Sequence, residues 1–271
     1  MQSRELQCKI ASVGAWGSYF ESWDALKELM QGGALPESKA KGPKPAVIPA
    51  NERRRAPLPV RLAVESSWQA TESAGISPEQ LRCVFVSALG DTDLTDYMCK
   101  TLASEHKELS PTKFHNSVHN APAGYWTIST KTMSAANSVA GFEESVSLTL
   151  LEAMVQCESE GVPLMVTFYD APVSEVLRPL LANQEAFAFS LIIYPMTADV
   201  DGIPIRAKVE NVGQIKWPAL ESDNAYISTL YADNPSAKVL CLAELLSHKA
   251  SAKQEISMPL SKGSSISIHL S

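Results

Sequence analysis

Residues 142–170 read FEESVSLTLLEAMVQCESEGVPLMVTFYD. The first part predicts one helix, Phe142 to about Glu160. Val146, Leu150 and Met154 form one i, i+4 row, and Leu148, Leu151 and Val155 form a second, the spacing that turns an apolar stripe toward a core. Pro163 to Tyr169 is then a near-continuous apolar run, the pattern of a strand buried on both faces. Glu143 and Glu144 are adjacent and point apart on a helix. They suit a first turn, where negative charge meets the positive end of the helix dipole.

The same alternation extends outward. On the N-terminal side, 132–140 is a short segment rich in small residues, preceded by a helical stretch, Ser117 to Ile128, and a loop, Ser110 to Phe114. Further upstream come a helix, Leu94 to Glu105, and a strand, Arg82 to Ala88, ending in Gly90-Asp91. A helix over Val60 to Ser73, a helix after Ser22 and an opening strand, Cys8 to Trp16, complete the first half. On the C-terminal side, a helix around Val173 to Leu181 precedes a strand, Phe187 to Tyr194. Strand alternating with helix predicts a mainly parallel sheet covered on both faces. The last third is less regular: a strand near Ile203 to Val209, an irregular stretch to Pro235, a helix from Ala237 to Leu246, and a final strand, Ser264 to Leu270. Residues 34–59 hold six prolines around Arg53-Arg54-Arg55 and read as a loop, because proline removes backbone donors.

Composition narrows the function. The 271 residues are 45% hydrophobic, with a formal net charge of -7. That supports a sizeable core and argues against general nucleic-acid binding, for which a basic stripe is the usual footprint. No apolar run reaches membrane-spanning length, and the N-terminus lacks a signal-peptide core; the expected location is cytoplasmic. Five scattered cysteines form no CxxC pair, so zinc and thioredoxin motifs are absent.

The catalytic signatures are missing too. There is no GxSxG, no GxxxxGK[ST] and no GxGxxG. His115 and His119 stand four apart, but neither HExxH nor a third ligand accompanies them, so no metal and no cofactor is expected. The Arg53–Arg55 run is either a solvated loop or a contact for a phosphate or acidic partner.

One stretch is more specific. Ser110-Pro111-Thr112-Lys113-Phe114, followed by Ser117 through Asn120 to Gly124, Tyr125, Trp126 and Ile128, resembles the segment before the active site in the N-terminal half of β-ketoacyl synthases. The strand Leu164 to Asp170 and the strand Cys83 to Ala88 with its Gly90-Asp91 loop are similar to strands of that same half. The resemblance covers roughly residues 8–195 and implies a thiolase-like, layered α/β/α fold. It implies one truncated domain over 1–271, with 1–195 synthase-like and 196–271 a reduced remainder.

The departures from that family decide the expected role. Its members hold a nucleophilic cysteine on a sharp turn at the start of the long helix, where the dipole and backbone donors depress the thiol pKa. Counting back along the helix puts that position at about Val139, within Asn137 to Gly141, and no cysteine lies there. The family's two histidines are also unmatched: only His248 and His269 follow residue 119, in unlike settings. The resemblance therefore implies a chain length factor, a subunit without its own nucleophile. Pro49 to Arg55 and Ser117 to Ala121 are similar to the subgroup found with aryl polyene biosynthesis. Such a subunit pairs with a catalytic ketosynthase as a heterodimer and meets acyl carrier protein through that complex. Asn120, Gly124, Tyr125, Trp126 and Ile128 are then the expected tunnel or gate residues, with plain packing the alternative for the two aromatics. Thr132, Met133, Ser134, Ala135 and Ala136 are the expected dimer-interface strand. Two other classes stay open: a self-sufficient thiolase-like acyltransferase with an atypical nucleophile, and an acyl-binding module.

Overall fold

A computed structural model describes residues 5–213, 215–247 and 254–270. His248 lies outside them. The described elements run in the order β1 (Leu6–Gly17), α1 (Trp23–Met30), α2 (Ala50–Arg53), α3 (Leu58–Ala74), β2 (Arg82–Val86), α4 (Thr92–Ala103), α5 (Pro111–His115), α6 (Ala121–Thr130), β3 (Ala136–Val139), α7 (Ser145–Glu160), β4 (Leu164–Asp170), β5 (Phe187–Pro195), β6 (Ile203–Glu210), α8 (Ala225–Asp233), α9 (Leu240–Ser247), β7 (Glu255–Ser261) and β8 (Ser264–Leu270). The strands form one eight-stranded sheet in the order β3-β2-β4-β5-β1-β6-β8-β7.

Period-2 alternation builds two cores, one on each face. Val84 and Val86 of β2, with Leu164, Val166 and Phe168 of β4, face a cluster with Val146, Leu150 and Met154 of α7. Cys83, Phe85, Met165 and Tyr169 face the opposite way, onto α3 and Trp126 of α6. Successive strand side chains point to opposite faces, so a strand buried on both faces feeds two helix layers at once.

Helix α3 lies unusually close to the sheet. A Cβ at Gly14 would sit 2.0 Å from the Ser66 carbonyl oxygen, so only glycine permits this approach. A buried hydroxyl chain stitches the contact: Ser67 to Thr167 at 2.7 Å, Thr167 to Ser190 at 2.9 Å, and Ser190 to Ser66 at 2.8 Å. Ser67 donates to Thr167, Thr167 to Ser190, Ser190 to Ser66, and Ser66 to the Leu62 and Ala63 carbonyls, so all four hydroxyls are partnered in the core.

The sheet is mixed rather than mainly parallel. Only β3/β2 and β2/β4 are parallel; β4/β5, β5/β1, β1/β6, β6/β8 and β8/β7 are antiparallel. The reason lies between β4 and β5. The expected helix over Val173–Leu181 is only a 3-10 turn at Glu175–Leu177. Pro179 removes a helical donor and clashes with the preceding turn, and without a crossover helix the chain returns antiparallel. The irregular stretch to Pro235 contains α8, capped by Asn224 through the Tyr226 and Ile227 N–H groups. The expected loop Ser110–Phe114 holds the short helix α5, and the expected helix Ser117–Ile128 begins only at Ala121, as α6, after the turn Asn116 to Asn120. No described helix is long and apolar enough to cross a membrane.

Candidate functional site

One free edge of the sheet is β3; the other is β7. The Cys83↔Ala136 to Val86↔Val139 register of β3 on β2 leaves the other side of β3 unpaired among the described residues. The Cys83 N–H donates to the Ala135 carbonyl at 3.0 Å and the Ser87 N–H to the Val139 carbonyl at 3.4 Å. Residues 135 and 139 therefore face β2, and by the alternation of the pleat Ala136 and Ser138 present their N–H and C=O groups outward.

The expected interface strand is displaced by this geometry. Only Ala136 of the five nominated residues is in β3. Thr132 is buried and its hydroxyl accepts from the Ser134 N–H at 3.2 Å, which shapes the turn into the strand. Met133 is 97% exposed at that turn. Ser134 donates to the Glu79 carbonyl at 2.7 Å, and Ala135 is exposed.

Val139 is the last residue of β3, not the turn itself. The turn into α7 is Ala140 to Glu144, with a 3-10 segment at Phe142–Glu144 and α7 proper starting at Ser145. Phe142 has φ +50°, a left-handed conformation that costs an L-residue roughly 1–2 kcal/mol. The Gly141 N–H donates to the buried Ser145 hydroxyl at 2.8 Å, which fixes the bend. The bend follows Val139 directly, later than a continuous helix from Phe142 implies, because Phe142–Glu144 is a 3-10 segment. The conclusion about chemistry is unchanged: Ala140, Gly141, Phe142, Glu143 and Glu144 include no thiol, hydroxyl or amine. Burial holds Cys83 and Cys157 as neutral thiols, each pushed up to about 12, and raises Cys8 as well.

The nominated gate residues separate. Trp126 is fully buried, its ring 6.5 Å from Trp68; it packs the core and lines no surface. Asn120, Gly124, Tyr125 and Ile128 line one groove of about 700 Å³, together with Val118, Asn116 and the cations Arg55 and Lys131. The Tyr125 hydroxyl pKa is raised, by burial first, with a hydrogen bond from Asn116 opposing. Asn120 precedes α6 without a side-chain cap bond. Sequence reasoning missed Asn116, although it sits inside the specific stretch. Its residue type alone carries no signal, and only the fold buries it.

His115 closes α5 and His119 lies in the turn before α6. His119 Nε2 donates to the Val139 carbonyl at 3.1 Å, so the two histidines do not share a helix face. It ties the α6 entry to the end of β3. Helix α5 is held on α4 by the Ser110 N–H donating to the Tyr97 hydroxyl at 3.1 Å, and by Lys113 Nζ 3.5 Å from the Tyr97 ring centroid. Phe114, Val118, Ile128, Met133 and Phe142 are all exposed on these elements and turns. Exposed large apolar side chains gathered around a sheet edge mark an interaction surface.

Residues 23–252 match the family described as the β-ketoacyl synthase N-terminal domain. The chain belongs to that family. No curated protein sequence matches it. Among solved structures, this synthase-family chain is similar to one from the ketosynthase ApeO in complex with its chain length factor ApeC from Xenorhabdus doucetiae. The identity is 16% and the TM-score 0.71, over 97% of this chain and 99% of that one. The ishigamide ketosynthase/chain length factor matches at 14% identity and TM-score 0.70, over 98% and 99%. The AntDE:AntF structure, an acyl-carrier protein with its ketosynthase, matches at 11% identity and TM-score 0.72, over 98% and 99%. At these identities the likeness establishes the thiolase-like fold.

Proposed function

We propose that this chain is a non-catalytic chain length factor. It pairs with an active β-ketoacyl-acyl carrier protein synthase and shapes that partner's acyl tunnel, in the cytoplasmic synthesis of an aryl polyene. The observation that carries the reading is the turn at Ala140–Glu144. That turn holds a left-handed Phe142, and no thiol, hydroxyl or amine stands on it. Beside it an open strand edge and an apolar surface await a partner.

The similarity to chains from ketosynthase/chain length factor complexes supports the same role. Tyr125 and Ile128 take the gating part and Gly124 leaves room beside them, since all three line the groove. Trp126 supports that wall from behind. Acyl carrier protein reaches the pair as the source of the growing chain, as its presence in the AntDE:AntF structure suggests.

The test is co-expression with a catalytic ketosynthase, followed by light scattering and mass spectrometry after acyl-thioester treatment. A one-to-one complex with acyl label on the partner alone is the expected result. A chain that ignores the partner and becomes acylated itself would overturn the reading.

A further inference from the structure

The turn between α6 and β3 is built to present one side chain. Lys131 ends α6 in the left-handed region, at φ +58°. Thr132 is buried, with its hydroxyl accepting from the Ser134 N–H at 3.2 Å, and the Ser134 hydroxyl donates to the Glu79 carbonyl at 2.7 Å. Both neighbours of Met133 are thus pinned to the protein. The Met133 side chain between them is 97% exposed, three residues before β3 begins.

The other described methionines are shielded. Met30, Met154, Met165 and Met258 are buried, and Met98 and Met196 are half-buried. A leucine in this turn would offer a partner the same apolar contact. Methionine adds a thioether sulfur, which two-electron oxidants convert to a polar sulfoxide.

We propose that Met133 is a redox-sensitive switch on assembly: hydrogen peroxide converts its thioether to the sulfoxide in the unpaired chain, and the sulfoxide opposes pairing with the ketosynthase. The inference rests on the chain-length-factor reading for the partner that covers Met133. In the step itself, sulfur attacks one peroxide oxygen, the S–O bond forms and the O–O bond breaks. The thioether gives up two electrons, and the second oxygen leaves as water with both protons. The product is a polar, chiral side chain in place of a flexible apolar one. Under an apolar interface its oxygen loses the hydrogen bonds that water supplied. Because the partner covers the sulfur, the assembled pair resists the oxidant while the free chain does not. The switch therefore acts on subunits awaiting a partner. Methionine sulfoxide reductases, one for each sulfoxide epimer, reset it.

The test treats the isolated chain and its complex with a catalytic ketosynthase with hydrogen peroxide, and reads each methionine by peptide mass spectrometry. In the isolated chain Met133 should oxidise about fivefold or more faster than Met98 or Met196, and pairing should slow it by a similar factor. Oxidation should raise the dissociation constant of the pair about tenfold, equivalent to ~1.4 kcal/mol. Treatment with both reductases should restore it. Cys99 is also exposed, so Met133→Leu is the control. It should pair as the parent does and keep its affinity through peroxide treatment. Met133→Gln, polar without any oxidation, should pair more weakly from the start. Four outcomes overturn the switch and leave the pairing standing: Met133 oxidised no faster than Met98, equal oxidation in the complex, an affinity unchanged by oxidation, or Met133→Leu losing affinity to peroxide as the parent does. A reduced chain that fails to pair removes the chain-length-factor reading, and the switch with it, however readily Met133 oxidises.

Discussion

Tyr125 and Trp126 are neighbours in α6 and serve opposite sides of it: Tyr125 lines the outer groove, while Trp126 is buried against Trp68. Adjacent helical positions lie about 100° apart, so one cannot substitute for the other. Truncating Trp126 to Ala should cost about 3–5 kcal/mol, as for other buried large aromatics. Urea unfolding of the complex checks this: a midpoint shift under ~1 kcal/mol would place Trp126 outside the core.

Tyr125→Ala should cost about 1–3 kcal/mol, less than Trp126→Ala, because the ring lines the groove but also packs against the core. In the assembled pair it should lengthen the product distribution, and Gly124→Leu should shorten it. Chromatography of the products reads both. Unchanged profiles from an intact complex would remove α6 from the gate.

The outward groups of β3 belong to Ala136 and Ser138. Ser138→Pro deletes one outward N–H and spares the β2 ladder, a placement an edge strand tolerates. The chain should therefore fold, by circular dichroism, but fail to co-purify with the ketosynthase. Co-purification at parental yield would show that the partner does not use this edge.

Ile128 is 78% exposed and Met133 nearly fully so. Changing both to Asp should weaken pairing by about tenfold or more, since buried charge without a partner is costly. The isolated chain should become more soluble. Titration of the complex by dilution measures the loss, and an unaltered dissociation constant would mean this surface stays open.

Asp170 ends β4 in complete burial. Its carboxylate accepts from the Ser87 and Ser236 hydroxyls, each at 2.7 Å, and from the Leu89 and Ala88 N–H groups at 3.0 and 3.3 Å. It pins the β2 loop to the segment before α9. Asp170→Ala strands four donors and should cost about 3 kcal/mol or more. Burial raises the carboxyl pKa, and the hydrogen bonds oppose it. A folded pKa above the unfolded value of roughly 3.9 gives stability that is full below that pH and lost as pH rises through the folded pKa. Denaturation midpoints should therefore fall with rising pH above ~4 through this group. Asp170→Asn should lack that component; an identical slope would assign it elsewhere.

How far the residues themselves reached can be read from particular elements. The α7 stripe of Val146, Leu150 and Met154 and the apolar run of β4 were legible, because local periodicity records which faces are buried. Strand direction was not, since pairing is a relation between distant segments and Pro179 acts only by deleting a crossover. The 3-10 segment at Phe142–Glu144 escaped for a similar reason. Its three residues have ordinary helical character, and the left-handed Phe142 is imposed by the junction of β3 and α7.

The amino-acid sequence by itself determined the layered α/β class, the family resemblance along Ser110–Ile128 and the absence of a thiol before α7, for these depend on residue identity and short-range pattern. Tertiary structure alone decided that β3 is an open edge, that Trp126 turns inward while Tyr125 turns outward, and that the Asn116 carbonyl is buried without a partner. Each of these is set by what distant segments cover and leave uncovered, and burial of that kind is a property of the packed chain.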